Sequence, residues 1–367
     1  MGGRRHGAAW RWALVAVLVG VLAALPAIVG VLPARDAPLS AAALRRAVLA
    51  SAGTPFSGYA ESAGGLALPV SDQLTSVADL FSDRTTMRVW WRGSRDNRID
   101  VVTPSGETDV HRDATGMWTW DYGSTTATRT ATSPLALPRP PDLLPSSLGR
   151  RLLSEALPRE LSRIGARRIA GRDALGLRLR PGQAAASVAR VDVWVDRASG
   201  LALQVQVVAK GARLPALDSR FLDLSLTRPP ASTTAFVPPL EANRRLATTF
   251  DDVIGQAAAQ AVGVLPARVA GLPRRTLPGV PASIGVYGRG ITLLVVAPVP
   301  ERFADGLRDA LEQAAGAVTE GRSVRAAAGP LSLMVVDPPG FGGYLLAGTV
   351  TGRALAASAA LVAGALR

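Results

Sequence analysis

Residues 191–207, VDVWVDRASGLALQVQV, alternate between apolar and polar positions with a period of two. That period places Val191, Val193 and Val195 on one side of a strand. After a turn through Arg197–Gly200, Leu201, Leu203, Val205 and Val207 repeat the pattern on a returning strand, which predicts a β-hairpin over 190–208. The opposite side is nominally wet, with Asp192 and Asp196, yet Trp194 shares it.

Short turn-punctuated runs of the same kind fill much of the chain. Strands are predicted at 85–92, 98–104 and 107–130, the last broken by a turn at Asp113–Gly116. Further strands are predicted at 166–182 and 219–227. Their spacing indicates an antiparallel meander rather than strand–helix alternation. The proline-rich run 133–145 must leave the sheet. Helical periodicity covers 38–52, with Ser40 as N-cap, and 146–164, interrupted near Pro158. Residues 229–239 close this part of the chain, and 240–261 read as a helical connector.

Beyond the connector the order is β-β-α-β-β-α. It comprises a hairpin over 282–300 turning at Gly288–Gly290, and a helix over 301–318 with Leu307 and Leu311 on one face. A second hairpin (329–337 with 344–351) and a small-residue helix over 352–367 complete it. The fold class expected is α+β: an unclosed antiparallel sheet domain, then a small α+β domain, preceded by an N-terminal transmembrane helix.

That first helix is predicted from composition. Arg4, Arg5 and Arg11 precede an uncharged stretch over 13–33, followed by Arg35 and Asp36. Its length is about that needed to cross a bilayer, roughly 20 residues. It exceeds a usual signal-peptide core and has poor cleavage sites near Ala27 and Ala34, which favours an uncleaved anchor. Trp10 and Trp12 sit at the membrane interface in this reading, and the arginines keep the N-terminus cytoplasmic. The expected organisation is a basic tail over 1–12, an anchor over 13–33, and a sheet domain over 38–239. The connector over 240–261 and a C-terminal domain over 262–367 follow. The bulk of the protein is then outside the cytoplasm, on a cell membrane it crosses once.

Hydrophobic residues make up 48% of the 367-residue chain and charged residues 19%, enough apolar content for a sizeable core. The formal charge of +13 is nearly all arginine, spread thinly and without aromatic interleaving, so nucleic-acid binding is not expected. Cysteine is absent, which removes disulfides, thiolate chemistry and common zinc motifs. The two histidines are His6, on the cytoplasmic side, and His111, read as a solvated strand residue. Asp251 and Asp252 diverge on a helix, and Asp192 and Asp196 are read as exposed carboxylates opposite arginines. The glycines at 285–290 belong to a hairpin turn rather than a phosphate loop. No metal, cofactor or enzymatic activity is expected.

Five of the seven tryptophans fall in the sheet region. Trp118, Trp120 and Tyr122 alternate along one strand face, and Trp90 and Trp91 must point to opposite faces. By themselves these residues favour core packing and cross-strand pairs over an open apolar surface.

A membrane-anchored N-terminus, FSGYAES at 56–62, the WTWDY strand and VWVDRASGLALQ at 193–204 together resemble the LolA/LolB–RseB superfamily over about 50–239. The C-terminal segments 265–276, 287–300 and 343–351 are similar to those of actinobacterial membrane-anchored proteins of RseB-like type. The resemblance implies a half-barrel with helices across its concave face and the interrupted helices at 142–164 as a lid. It also implies a hydrophobic ligand site, to which Trp90, Trp91, Trp118, Trp120, Tyr122 and Trp194 are assigned. The partners implied are an acyl chain of a lipid or lipoprotein and a membrane-bound anti-sigma factor, with no cofactor. A lipoprotein-sensing regulator is the leading expectation. A LolA-like carrier and a structural envelope protein without ligand are the alternatives.

Overall fold

The computed structural model describes residues 14–15, 17–19, 34–65, 81, 84–103, 106–130, 137–247, 250–261, 264–321, 323–337 and 343–366. The stretch expected to cross a membrane lies almost wholly outside them. Leu14, Val15, Val17, Leu18 and Val19 are helical and exposed. Among the described residues no helix is long and apolar enough to cross a membrane.

Alternation produces the expected meander. Strands β1 (Phe56–Gly64), β2 (Arg84–Gly93), β3 (Asp96–Thr103), β4 (Gly106–Asp113), β5 (Gly116–Asp121) and β6 (Thr126–Thr130) pair in sequence. The β4–β5 turn is fixed by Asp113, whose Oδ1 accepts from the N–H groups of Thr115 (2.6 Å) and Gly116 (3.0 Å). Strands β7 (Leu161–Ile169), β8 (Arg172–Leu179), β9 (Val188–Asp196), β10 (Ala202–Ala209) and β11 (Leu217–Ser225) form a second meander. Its last strand pairs with β1, and β12 (Asn243–Leu246) adds to β6 in parallel. The result is one twelve-stranded sheet in the order β12-β6-β5-β4-β3-β2-β1-β11-β10-β9-β8-β7, unclosed at both edges.

Among the described residues, three helices cover one face. Helix α1 (Ala41–Ala50) is capped as expected, with Ser40 Oγ accepting from Ala43 N–H at 3.1 Å, and it buries Leu44 and Val48. Helices α2 (Pro140–Leu143) and α3 (Pro145–Ser154) both open with proline at the first helical position. Gly149 lets α3 sit close to β10, since a β-carbon there would lie 2.6 Å from Ala202 Cβ. At the β9–β10 turn Gly200 adopts φ +72°, and a β-carbon would meet the Ala47 carbonyl of α1 at 2.8 Å. Phe56, Leu144, Leu153, Val191, Val193, Val205 and Phe221 share the core beneath these helices.

Two helical expectations are corrected. Residues 161–164, expected to be helical, begin β7, because Pro158 stops the helix and Leu161 pairs with Leu179 of β8. In the connector, Asn243–Leu246 is strand, and helix is confined to α5 (Phe250–Gln260), after a short α4 (Ala231–Thr234).

The second unit is an eight-stranded sheet. It runs β13 (Arg268–Val269), β14 (Leu272–Arg275), β15 (Gly285–Arg289), β16 (Thr292–Val299), α6 (Glu301–Glu312), β17 (Val318–Glu320), β18 (Ser323–Ala328), β19 (Leu331–Val336), β20 (Gly343–Gly348) and α7 (Gly352–Ala365). The two expected hairpins and both helices are present, although the first helix ends at Glu312 and residue 318 already begins β17, while β13, β14, β17 and β18 extend the sheet beyond β-β-α-β-β-α. Leu307 and Leu311 do share the buried face of α6. Helix α7 packs on the side of Met334, Val336 and Leu346, and α6 packs on the opposite side with Leu333, Val335 and Leu345.

The units meet at the β8–β9 loop and the segment before β7. Thr351 N–H donates to Ala185 O (2.8 Å), and Ser187 N–H to Thr349 O (3.2 Å).

Candidate functional site

Register divides the six assigned residues between two faces of the large sheet. Across one level, Phe56, Trp91, Asn97, Arg112, Met117 and Thr130 stand side by side on β1 to β6. This is the face under the helices. Trp91 is buried in it, stacked on Phe56 with ring centroids 5.8 Å apart, and Phe56 meets Phe221 edge-on at 5.4 Å. The guanidinium of Arg150, on α3, lies 5.4 Å from the Trp91 ring.

The other five stand on the outer face. Trp90 carries the Arg98 guanidinium at 5.2 Å. Trp118, Trp120 and Tyr122 alternate as expected, and Phe236 reaches over from the segment after β11 to within 6.0 Å of Trp118 and 6.4 Å of Trp120. Tyr122 is exposed. Trp194 is opposite Gly176 and Gln204 and only 2% exposed, with Arg167 stacked over its ring at 4.0 Å. The assigned residues therefore do not converge on one site: Trp91 alone faces the helices.

The nominally wet side of the opening hairpin is dry for an identifiable reason. Asp192 is gripped by Arg178 through two bonds of 2.5 and 2.7 Å, and Asp196 by Arg172 at 2.9 and 3.2 Å. Bidentate pairs let both carboxylates be buried beside the indole. They are opposite arginines as expected, but not exposed. His111 is likewise buried rather than solvated, its ring stacked at 4.6 Å on Phe236 and Nδ1 3.1 Å from the Thr234 carbonyl.

Further along this face Asp100, Glu107 and Asp109 bring one oxygen each within 4.8 Å. Arginines supply their counter-charge: Arg98 bonds Asp100 (2.6 Å) and Asp109 (2.7 Å), and Arg88 bonds Glu107 (2.5 Å). Burial pushes the Asp100 carboxyl up to about 6; Arg98 opposes this and the negative charge of Asp109 adds to it. Burial acts on Asp109 too, but His111, its Nε2 3.9 Å away, and the Arg98 guanidinium outweigh it and hold that carboxyl below its ordinary value. A carboxyl raised in the folded state holds its proton more tightly than the unfolded chain does, so stability falls as pH rises from about 4 through 6. Asp100→Asn is expected to remove that decline, roughly 1–3 kcal/mol, measured by urea unfolding at pH 4 and pH 7.

Three features had no signal in the alternation. Phe236 sits in a proline-rich run, and Arg150 and Arg112 are two among 40 arginines. The third is the pair of glutamates in the segment 155–160. Glu155 accepts from Arg275 (2.7 and 3.1 Å) and from Gly290 N–H (2.7 Å). Glu160 accepts from Arg289 (2.5 and 2.9 Å), Leu157 N–H (2.9 Å) and Gly182 N–H (2.7 Å). The chain leaving α3 is thus fixed directly to the second unit.

No protein-family model and no curated protein matches the sequence. Among solved structures, the chain is similar to the Pseudomonas aeruginosa MucA/MucB complex structure, with 18% identity over 87% of this chain and 96% of that one and a TM-score of 0.49. It is similar to a structure of MucB alone, with 15% identity over 86% and 95% and a TM-score of 0.45. A LolA superfamily protein of Nitrosomonas europaea matches 54% of this chain and 98% of its own, with 11% identity and a TM-score of 0.27.

Proposed function

We propose that the protein is an extracytoplasmic, membrane-anchored regulator of RseB type. It binds a hydrophobic ligand, an acyl chain of a lipid or lipoprotein, under the helices of the large sheet. The observation that carries this reading is the construction of that cover. Helices of four and ten residues, too short to be stable alone, lie on an apolar sheet face that their removal would expose. Their position is set by packing, so a ligand competing for the same face can displace them.

A specific feature favours sensing over carrying. Helix α3 runs straight into Glu155 and Glu160, which hold the second unit through Arg275 and Arg289. Displacing α3 must strain those pairs, which links occupancy of the face to the unit proposed to hold a membrane-bound anti-sigma factor. The partner in this proposal follows the sequence resemblance and is the same kind as the MucA seen with MucB.

Of the five described tryptophans only Trp91 faces the helices, which gives the test its probe. Titrating the full chain with oleate or a lysolipid is expected to change tryptophan emission, and Trp91→Phe to abolish most of the change. Native mass spectrometry should show co-purified acyl ligand. Clean apo protein whose emission ignores both additives would sink the proposal.

A further inference from the structure

Charge is handled differently on the two faces of the large sheet. On the outer face Glu61, Asp100, Asp109, Asp192 and Asp196 are buried, and each has an arginine partner. Under the helices, two arginines, Arg150 and Arg112, have no carboxylate partner among the described residues. Arg150 points from α3 onto Trp91, and its guanidinium is buried enough to be pushed below its ordinary pKa. It remains a cation at any physiological pH. Its Nη1 is shielded from solvent and, among the described residues, has no hydrogen-bond acceptor, while its Nη2 meets Ser147 Oγ at 3.4 Å.

One neighbour on this level is also under-satisfied among the described residues. Asn97, directly beside Trp91, is 1% exposed and its Oδ1 has no donor, although its Nδ2 donates to Gly93 O at 2.9 Å. Arg112, directly beside Asn97, is half-buried and donates from Nη2 to the Met117 sulfur at 3.7 Å. Among the described residues no carboxylate pairs with Arg150 or Arg112. A buried guanidinium without a counter-ion is strongly unfavourable, and the chain contains 28 acidic residues that could have supplied one. The row therefore runs from aromatic (Phe56, Trp91) to cationic across the four strands β1 to β4, a polarity suited to a molecule with an apolar tail and an anionic head.

We infer that Arg150 and Arg112, flanking Asn97 and Trp91 on the helix-covered face, form a subsite for the oxyanion of an anionic amphiphile, its carboxylate or phosphate taken by the guanidinium groups and its acyl chain by the aromatic row. This rests on the hydrophobic-ligand reading and narrows it to anionic ligands. Charge-assisted bonds in a water-excluded site are strong enough to discriminate between ligands of equal tail length.

The test compares oleate with methyl oleate, the same tail without charge, and with inorganic phosphate, each titrated into delipidated full chain by calorimetry. Oleate is expected to bind at least about tenfold more tightly than methyl oleate, and phosphate alone far more weakly than oleate. In Arg150→Met the two oleyl ligands should come within about twofold, while Arg150→Lys keeps most of the preference. Should Arg150→Met not fold, loss of preference in Arg112→Gln serves the same purpose. Equal binding of both ligands to the parent protein overturns the anionic subsite but leaves the apolar-ligand reading standing. Binding of neither overturns both. Preference surviving in the Arg150 and Arg112 variants would place the anion elsewhere, and phosphate binding as tightly as oleate would make this a site for free oxyanions; either result overturns the assignment.

Discussion

Replacing Trp194 with alanine is expected to lower the unfolding free energy by about 3–5 kcal/mol while leaving the Trp91 response to oleate in place. The indole is 2% exposed on the outer face, wedged between Asp192 and Asp196 with Arg167 stacked above it. Removing it opens a void beside two carboxylates whose burial depends on tight bidentate pairing, so the transfer loss is compounded. Urea unfolding of the variant measures the first part, and oleate titration of the folded fraction the second. A variant that folds as well as the parent but no longer takes up oleate would instead make Trp194 a ligand residue.

Glu160→Gln is expected to cost about 2–4 kcal/mol, because it uncouples a buried carboxylate from Arg289 and weakens the turn that carries α3 into β7. Burial alone would raise the Glu160 pKa. The bond from Arg289 and those from the Leu157 and Gly182 N–H groups outweigh it and bring the carboxyl to about 2. A depressed carboxyl stabilises the fold fully above its unfolded value, near 4.5, and that stability is lost as pH falls from there through about 2. The parent protein should therefore lose about 3 kcal/mol across that window, and the variant should not. Urea unfolding at pH 6 and pH 3 decides it. Equal acid sensitivity in both proteins would show that Glu160 does not set this window.

Strands that alternate in sequence were legible where one face is apolar, as in β9 and β10, because the period itself records burial. What alternation cannot record is how the wet face is closed. Asp192, Trp194 and Asp196 read as a surface with a stray aromatic until Arg172, Arg178 and Arg167 are found closing over it, and those arginines come from other strands. The same limit applies to His111, covered by Phe236 from 125 residues away in sequence. Strands of low contrast were lost for a different reason: SVRAAA at β18 and NRRL at β12 owe their pairing to their neighbours and not to their own pattern. The placement of Trp91 apart from Trp90 followed from adjacency alone. Which of the two would meet the helices did not, since that depends on the register of β2 with β1 and β3.

The two ends of the large sheet have an unexpected relation to one another. Its terminal strands are β12 and β7, and a flat ribbon of that width would keep them about 50 Å apart. Yet the second unit is attached to both. The chain passes from β12 through α5 into it, and Arg289 holds Glu160, the residue immediately before β7. The small unit thus acts as a tie-bar across the mouth of the ribbon. A widening of the ribbon at its β7 edge would have to carry the second unit along or break the Arg289–Glu160 grip.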